Sequence, residues 1–190
     1  MDPRAQAVIA FWFGWPPQEA DRREWFQKND AFDAEIRQRF GAWVEEALQG
    51  GLTDWNTTPL AALARIVVLD QFTRNIFRGS ARAFAGDALA LAAAQALVAA
   101  GDDRRLTPTQ RRFAYLPFEH SEDLAVQAES MRLFGALAAE HPAQAGMLVW
   151  ARKHQEIIER FGRFPHRNAA LGRASSAEEL AFLQQPGSSF

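Results

Sequence analysis

Cysteine is absent from this 190-residue chain, which removes disulfides, thiol nucleophiles and thiolate metal sites together. Lysine is nearly absent: Lys28 and Lys153 are the only two, and every other basic side chain of fixed charge is an arginine. Acidic and basic residues almost cancel, so the net charge of -2 gives no overall pull toward nucleic acid or an anionic membrane. The apolar run after Met1-Asp2-Pro3-Arg4 is too short for a signal peptide, and Ala88 to Ala100 is too short for a bilayer span. A soluble cytoplasmic protein, without nucleic-acid or membrane partners, is therefore expected. No strand-like alternation, Gly-rich phosphate loop or nucleophile-elbow serine is present.

What is abundant is apolar surface. Hydrophobic residues make up 48% of the chain, including 15 Phe and 6 Trp, enough for one domain with a sizeable core. Glycine and proline fall between helical patterns. Helices are predicted over Ala5–Phe13, Gln18–Gln27 and Asp30–Leu48, the last ended by Gly50-Gly51. Thr58-Pro59 then caps a helix to Phe77 that is apolar nearly all round and hence interior. Further helices run from Asp87 to Ala100 and from a Thr107 capping box to a disturbance at Pro117. Another runs from a Ser121 cap to Ala139, then one from Ala143 to Phe161, and a short last one is capped by Ser175 or Ser176. Short turns between successive helices predict an all-α fold of stacked antiparallel pairs, tetratricopeptide-like in geometry although no consensus repeat is present. The domain is expected over 1–186, with a mobile tail at 187–190.

Polar groups concentrate in three places. The interior helix carries Asp70, Gln71, Arg74 and Asn75, and Asp70 and Arg74, four apart, share a face. Phe118 is followed by Glu119-His120-Ser121-Glu122-Asp123, with His120 at the mouth of a helix N-terminus. The densest stretch runs from Arg160 through Phe161, Gly162, Arg163, Phe164, Pro165, His166 and Arg167 to Asn168. Gly162 can end a helix there and Pro165 disfavours helical geometry at Phe164, while the two phenylalanines pull neighbouring guanidinium groups toward the interior.

These stretches together resemble the bacterial proteins grouped as domain-of-unknown-function family 924, over nearly the whole chain. The resemblance is carried by Phe11-Trp12-Phe13, Trp25 to Phe32-Asp33, Leu69 to Arg78, Tyr115 to Glu122 with Gln127, and Arg160 to Asn168 with Leu171-Gly172-Arg173. Asn29 stands where the family favours Asp, and Thr73 where it favours Pro. The resemblance implies an all-helical, tetratricopeptide-like fold and supplies no reaction.

Two readings of the polar groups stay open. In the first, Asp70, Arg74, Asn75, Glu122, Arg163, Arg167 and Asn168 bind a small anionic ligand, with His120 or His166 as acid–base catalyst. In the second, the same groups are structural ion pairs of a helical scaffold that takes a protein partner. His154, on an apolar stripe, is expected to be a hydrogen-bonded core histidine. No metal site or cofactor is expected, since no two histidines have ligand spacing and arginines flank His166. Convergence of the groups on one pocket would favour the ligand; separate, satisfied pairs would favour the scaffold.

Overall fold

Asp2 starts the first helix, α1 (Pro3–Phe13), by accepting a hydrogen bond from the Arg4 amide at 2.6 Å, with Pro3 presetting the first turn. The computed structural model describes residues 1–17 and 21–188. Of the helix expected over 18–27, the described residues 21–27 form no α-helix. Residues 18–20 lie outside the described part, and Arg23–Trp25 makes a single 3-10 turn. Tertiary bonds hold that turn: the Trp25 indole donates to the Trp12 carbonyl at 3.1 Å, and the Arg22 guanidinium donates to the carbonyls of Phe11 and Trp12.

Helix α2 (Asp30–Leu48) is capped by Asn29, whose side-chain oxygen accepts from the amides of Ala31 and Phe32 at 3.1 Å. An amide serves that role as well as a carboxylate would. Thr58 and Pro59 open α3 (Pro59–Ile66), which passes without a break into a π-helical stretch, Val67–Phe72, and then into α4 (Thr73–Ile76). Val67 and Leu69 are wholly buried, as are Leu63, Ile66 and Phe72. The all-round apolar pattern had this meaning.

Helix α5 (Asp87–Ala99) buries Ala90, Ala93, Ala94 and Leu97. The stretch Ala81–Ala99 is long and apolar enough to match a membrane span by length and composition. It is not one α-helix, because Ala81–Phe84 is a 3-10 turn separated from α5 by Ala85 and Gly86. Helix α6 (Pro108–Glu119) starts with the Thr107–Gln110 capping box and runs through Pro117. Pro117 removes one amide donor without ending the helix, whose side chains from Thr109 to Glu119 are all buried. Helix α7 (Leu124–Glu140) is capped by Asp123, not by Ser121: the Asp123 carboxylate accepts from Ala125 and Val126 at 2.8 and 3.1 Å.

Helix α8 (Ala145–Phe161) ends where Gly162 takes a left-handed conformation (φ 67°). The chain then makes a 3-10 turn at Pro165–Arg167 and closes with α9 (Ala177–Leu183), capped by Ser176 and Glu179. Beyond α9, Ser188 is buried, and its hydroxyl donates to the Leu183 carbonyl at 3.1 Å. The described residues form a single all-α domain. Its helices differ widely in length, from 4 to 19 residues, and do not repeat a regular unit. The core is aromatic at one end, where Trp12 meets Phe72 and Phe113 edge-on at 5.6 and 5.7 Å.

Candidate functional site

The π-helical stretch is the origin of the site. Its wider turn changes which way side chains leave the helix, and such turns concentrate at functional positions. Backbone acceptors in it are held by side chains: the Thr73 hydroxyl donates to the Leu69 carbonyl at 2.8 Å, and Arg74 Nη1 donates to the Asp70 carbonyl at 2.7 Å. The start of α5 lies directly against this stretch, with Gly86 on the Leu69 carbonyl. That contact delivers Asp87 to Arg74.

Asp70 is wholly buried, and three side chains reach it. His120 Nδ1 lies 2.7 Å from Oδ1, Arg74 Nη1 lies 3.2 Å from the same oxygen, and the Gln71 amide donates to Oδ2 at 2.6 Å. Burial opposes ionisation of Asp70, but attraction to His120 and Arg74 and the hydrogen bonds from His120 and Gln71 outweigh it. Its pKa lies well below the usual carboxylate range. Arg74 also forks onto Asp87, at 2.8 and 3.1 Å, and Arg167 Nη1 donates at 2.9 Å to Oδ2 of Asp87, the oxygen that Arg74 Nη2 also reaches. Arg167 Nη2 closes the ring by donating to the His120 carbonyl at 2.9 Å. The Arg167 guanidinium lies over the rings of Phe84 and Phe164, 4.7 Å from each centroid.

His120 is therefore fixed at both its ring and its backbone. Burial, and then the charge of Arg74, push its pKa down, against the opposing pull of Asp70. A neutral imidazole facing an ionised carboxylate carries its hydrogen on Nδ1. Nε2 then presents a lone pair, and no side chain or backbone group of the described residues hydrogen-bonds to it. The side chain keeps 15% of its surface open.

Asp70, Arg74, His120 and Arg167 are thus brought together. The other candidates are not part of this ring. Glu122 accepts from Arg173 at 2.7 and 2.9 Å and from the Phe164 amide at 2.8 Å. Asn168 accepts from Arg173 at 2.9 Å and donates to Ser175 at 3.0 Å. Arg163 forks onto Glu179 at 2.7 and 2.8 Å. These bonds fasten the segment after Gly162 to the turns around it. Asn75 points elsewhere, donating at 2.6 Å to Asp33, which also takes the fork of Arg78.

His166 is half-buried, 5.6 Å from the Phe164 ring, and its pKa is pushed down to about 3 by burial and then by Arg167, His154, His120 and Arg74. His154 is buried, with Nδ1 2.9 Å from the Trp150 carbonyl and 3.0 Å from Glu119. Among the described residues no group of three His, Asp or Glu is placed to hold a metal ion.

Sequence reasoning missed Asp87, which joins the two arginines. It reads as an ordinary acidic residue at a helix start, and its one signal was Gly86 before it.

A family model described as bacterial protein of unknown function (DUF924) matches residues 8–187. The chain belongs to this family. It is also similar to a solved structure of a protein of unknown function from Agrobacterium tumefaciens, at 37% identity and a TM-score of 0.82. That match covers 95% of this chain and 96% of the other. No curated protein matches. Family and neighbour agree with the fold, and neither supplies a reaction.

Proposed function

We propose that the chain binds a small molecule over the Asp70–His120 pair and that His120 acts there as a general base. The observation that carries this reading is a wholly buried, ionised Asp70 at 2.7 Å from His120 Nδ1, with no hydrogen bond on Nε2 among the described residues and 15% of the side chain open. A carboxylate in that position fixes the tautomer, orients the ring and stabilises the imidazolium that forms when Nε2 takes a proton.

Charge balance narrows the ligand. Two guanidinium groups, Arg74 and Arg167, face two carboxylates, Asp70 and Asp87, so little positive charge is left to hold a free phosphate. A small molecule with a weakly acidic O–H or N–H fits better, its anion forming only as His120 takes the proton and Arg74 stands beside it. The anionic ligand expected from the arginines thus becomes an anion made in place.

The test is a thermal-shift screen of small carboxylic, phosphoryl and weakly acidic neutral metabolites against the wild type and His120→Ala. Ligands of the site raise the wild-type melting temperature and lose that effect in the variant. If every hit shifts both proteins equally, the reading fails.

A scaffold reading has its own support in the Arg163–Glu179 and Arg173–Glu122 pairs, which are satisfied internally. Those pairs locking helices together, with a protein partner outside, is what remains if the screen fails.

A further inference from the structure

A cleft of about 410 Å³ opens far along α6 from His120, between the end of α5, the start of α6 and the second half of α7. Its volume lies in the range of small-molecule sites. Its apolar lining comes from Val98 and Ala99 of α5 and from Leu133 and Ala136 of α7. The polar lining includes Tyr115, whose buried hydroxyl accepts from Arg111 Nε at 3.1 Å and donates to Asp103 at 2.5 Å.

Three arginines reach the cleft, in different states. Arg111 is tied to Tyr115 and to Glu140, and Arg132 forks onto Glu129 at 2.8 and 2.6 Å. Arg104 is exposed, and its guanidinium makes no hydrogen bond or ion pair among the described residues. It stands beside Glu140, whose pKa is lowered by Arg111 first and by Arg104 in smaller part. Arg111 and Arg132 are thus each taken up by a carboxylate. Arg104 alone of the three is left without one, in a cleft that also has apolar lining.

We propose that this cleft is a second binding site, for a small molecule with one carboxylate or phosphate group on an apolar body. The anionic group pairs with the donors of Arg104 and the outward edges of Arg111 and Arg132, and the body lies on Leu133 and Ala136. The Asp103 and Glu140 carboxylates, lining the same cleft, disfavour a ligand that carries a second anionic group.

Four probes separate the parts: hexanoate, hexyl phosphate, inorganic phosphate and hexanol, titrated by calorimetry and by amide chemical shifts. Hexanoate or hexyl phosphate is expected to bind and to move amides around Arg104 and Leu133, with the stronger of the two naming the anionic group. Inorganic phosphate and hexanol are expected to be much weaker. Arg104→Ala, which breaks no contact of the fold, should weaken the preferred probe roughly threefold to tenfold. Ala136→Phe, which fills the space, should abolish binding. His120→Ala should leave it unchanged, so failure here is distinct from failure at the Asp70–His120 pair. Absence of binding by both charged hexyl probes, or equal binding to Arg104→Ala, overturns the proposal.

Discussion

Gly86 lies so close to the Leu69 carbonyl that a β-carbon at its position would stand 2.1 Å from the oxygen and 2.9 Å from the carbon. The neighbouring atoms are backbone, which cannot swing aside. This close approach holds the start of α5 on the π-helical stretch and sets Asp87 beside Arg74. Gly86→Ala should therefore cost about 1–3 kcal/mol or more, the usual range for overpacking, although its φ of -88° would suit any residue. Urea denaturation checks this. A loss within ~0.5 kcal/mol would mean that α5 moves away freely, and Asp87 with it.

Asp70→Ala tests the pair at the centre of the ring. Removing the carboxylate leaves the Nδ1–H of His120 and the Gln71 amide without their buried acceptor and takes one of two carboxylates from Arg74, at a cost of about 3–5 kcal/mol. Asp70→Asn keeps an oxygen for His120 and loses the charge facing Arg74, so it should cost less. Equal stability of wild type and Asp70→Ala in chemical denaturation would show that the carboxylate contributes nothing.

Much of this was legible in the sequence because it depends on local chemistry. Thr58-Pro59 and Thr107-Gln110 mark helix starts by their own side chains and do so in the structure, as does Ser176-Glu179, one of the two caps expected for the last helix. The interior helix was legible because its apolar residues leave it no solvent face. Partnerships across the chain were not legible. Asp70 pairs with Arg74 as its spacing implies, but Arg167 takes Asp87, 80 residues away in sequence. Nothing local tells Arg167 apart from Arg163, which binds Glu179. The π-helical stretch escaped for a similar reason, since its residues are ordinary helix formers and the wider turn is stabilised by what packs on it.

Arg167 should tolerate lysine poorly. One guanidinium spans the Asp87 carboxylate and the His120 carbonyl while lying over the rings of Phe84 and Phe164. A lysine ammonium can reach one acceptor and cannot stack in that way. Burial pushes the Arg167 pKa down to about 10, with Arg74 adding to the effect, so it remains charged at neutral pH. Arg167→Lys is expected to lose about 1–3 kcal/mol, the scale of a charge-assisted hydrogen bond, in thermal or urea unfolding. Stability equal to wild type would show that only the charge matters.

Acid should weaken the fold through His166 well before the carboxylates titrate. Its folded pKa, about 3, is depressed from the ordinary 6.5 by burial and then by Arg167. The unfolded chain therefore binds a proton at a pH where the folded chain does not. The sign follows: this contribution to stability is complete above about pH 6.5 and is lost as pH falls toward about 3. His166→Gln, which cannot take the proton, should flatten the stability profile between those limits. An unchanged slope in the variant would place the acid sensitivity elsewhere.

His120 makes the sharpest prediction, because it needs no ligand. Asp70 is ionised and buried, so the hydrogen of a neutral His120 must sit on Nδ1, and Nε2 must be bare. Nitrogen-15 NMR of the imidazole reads this directly at neutral pH: one protonated nitrogen, assigned to Nδ1, and one unprotonated. Burial and Arg74 depress the His120 pKa while Asp70 raises it, so removing the Asp70 charge should depress it further. In Asp70→Asn the titration is therefore expected to move to lower pH, and the tautomer preference to weaken because the new amide can donate as well as accept. An upward shift, or an Nε2–H tautomer in the wild type, would mean that Asp70 does not orient His120. The base would then face the wrong way, and the proposed chemistry would have no proton acceptor.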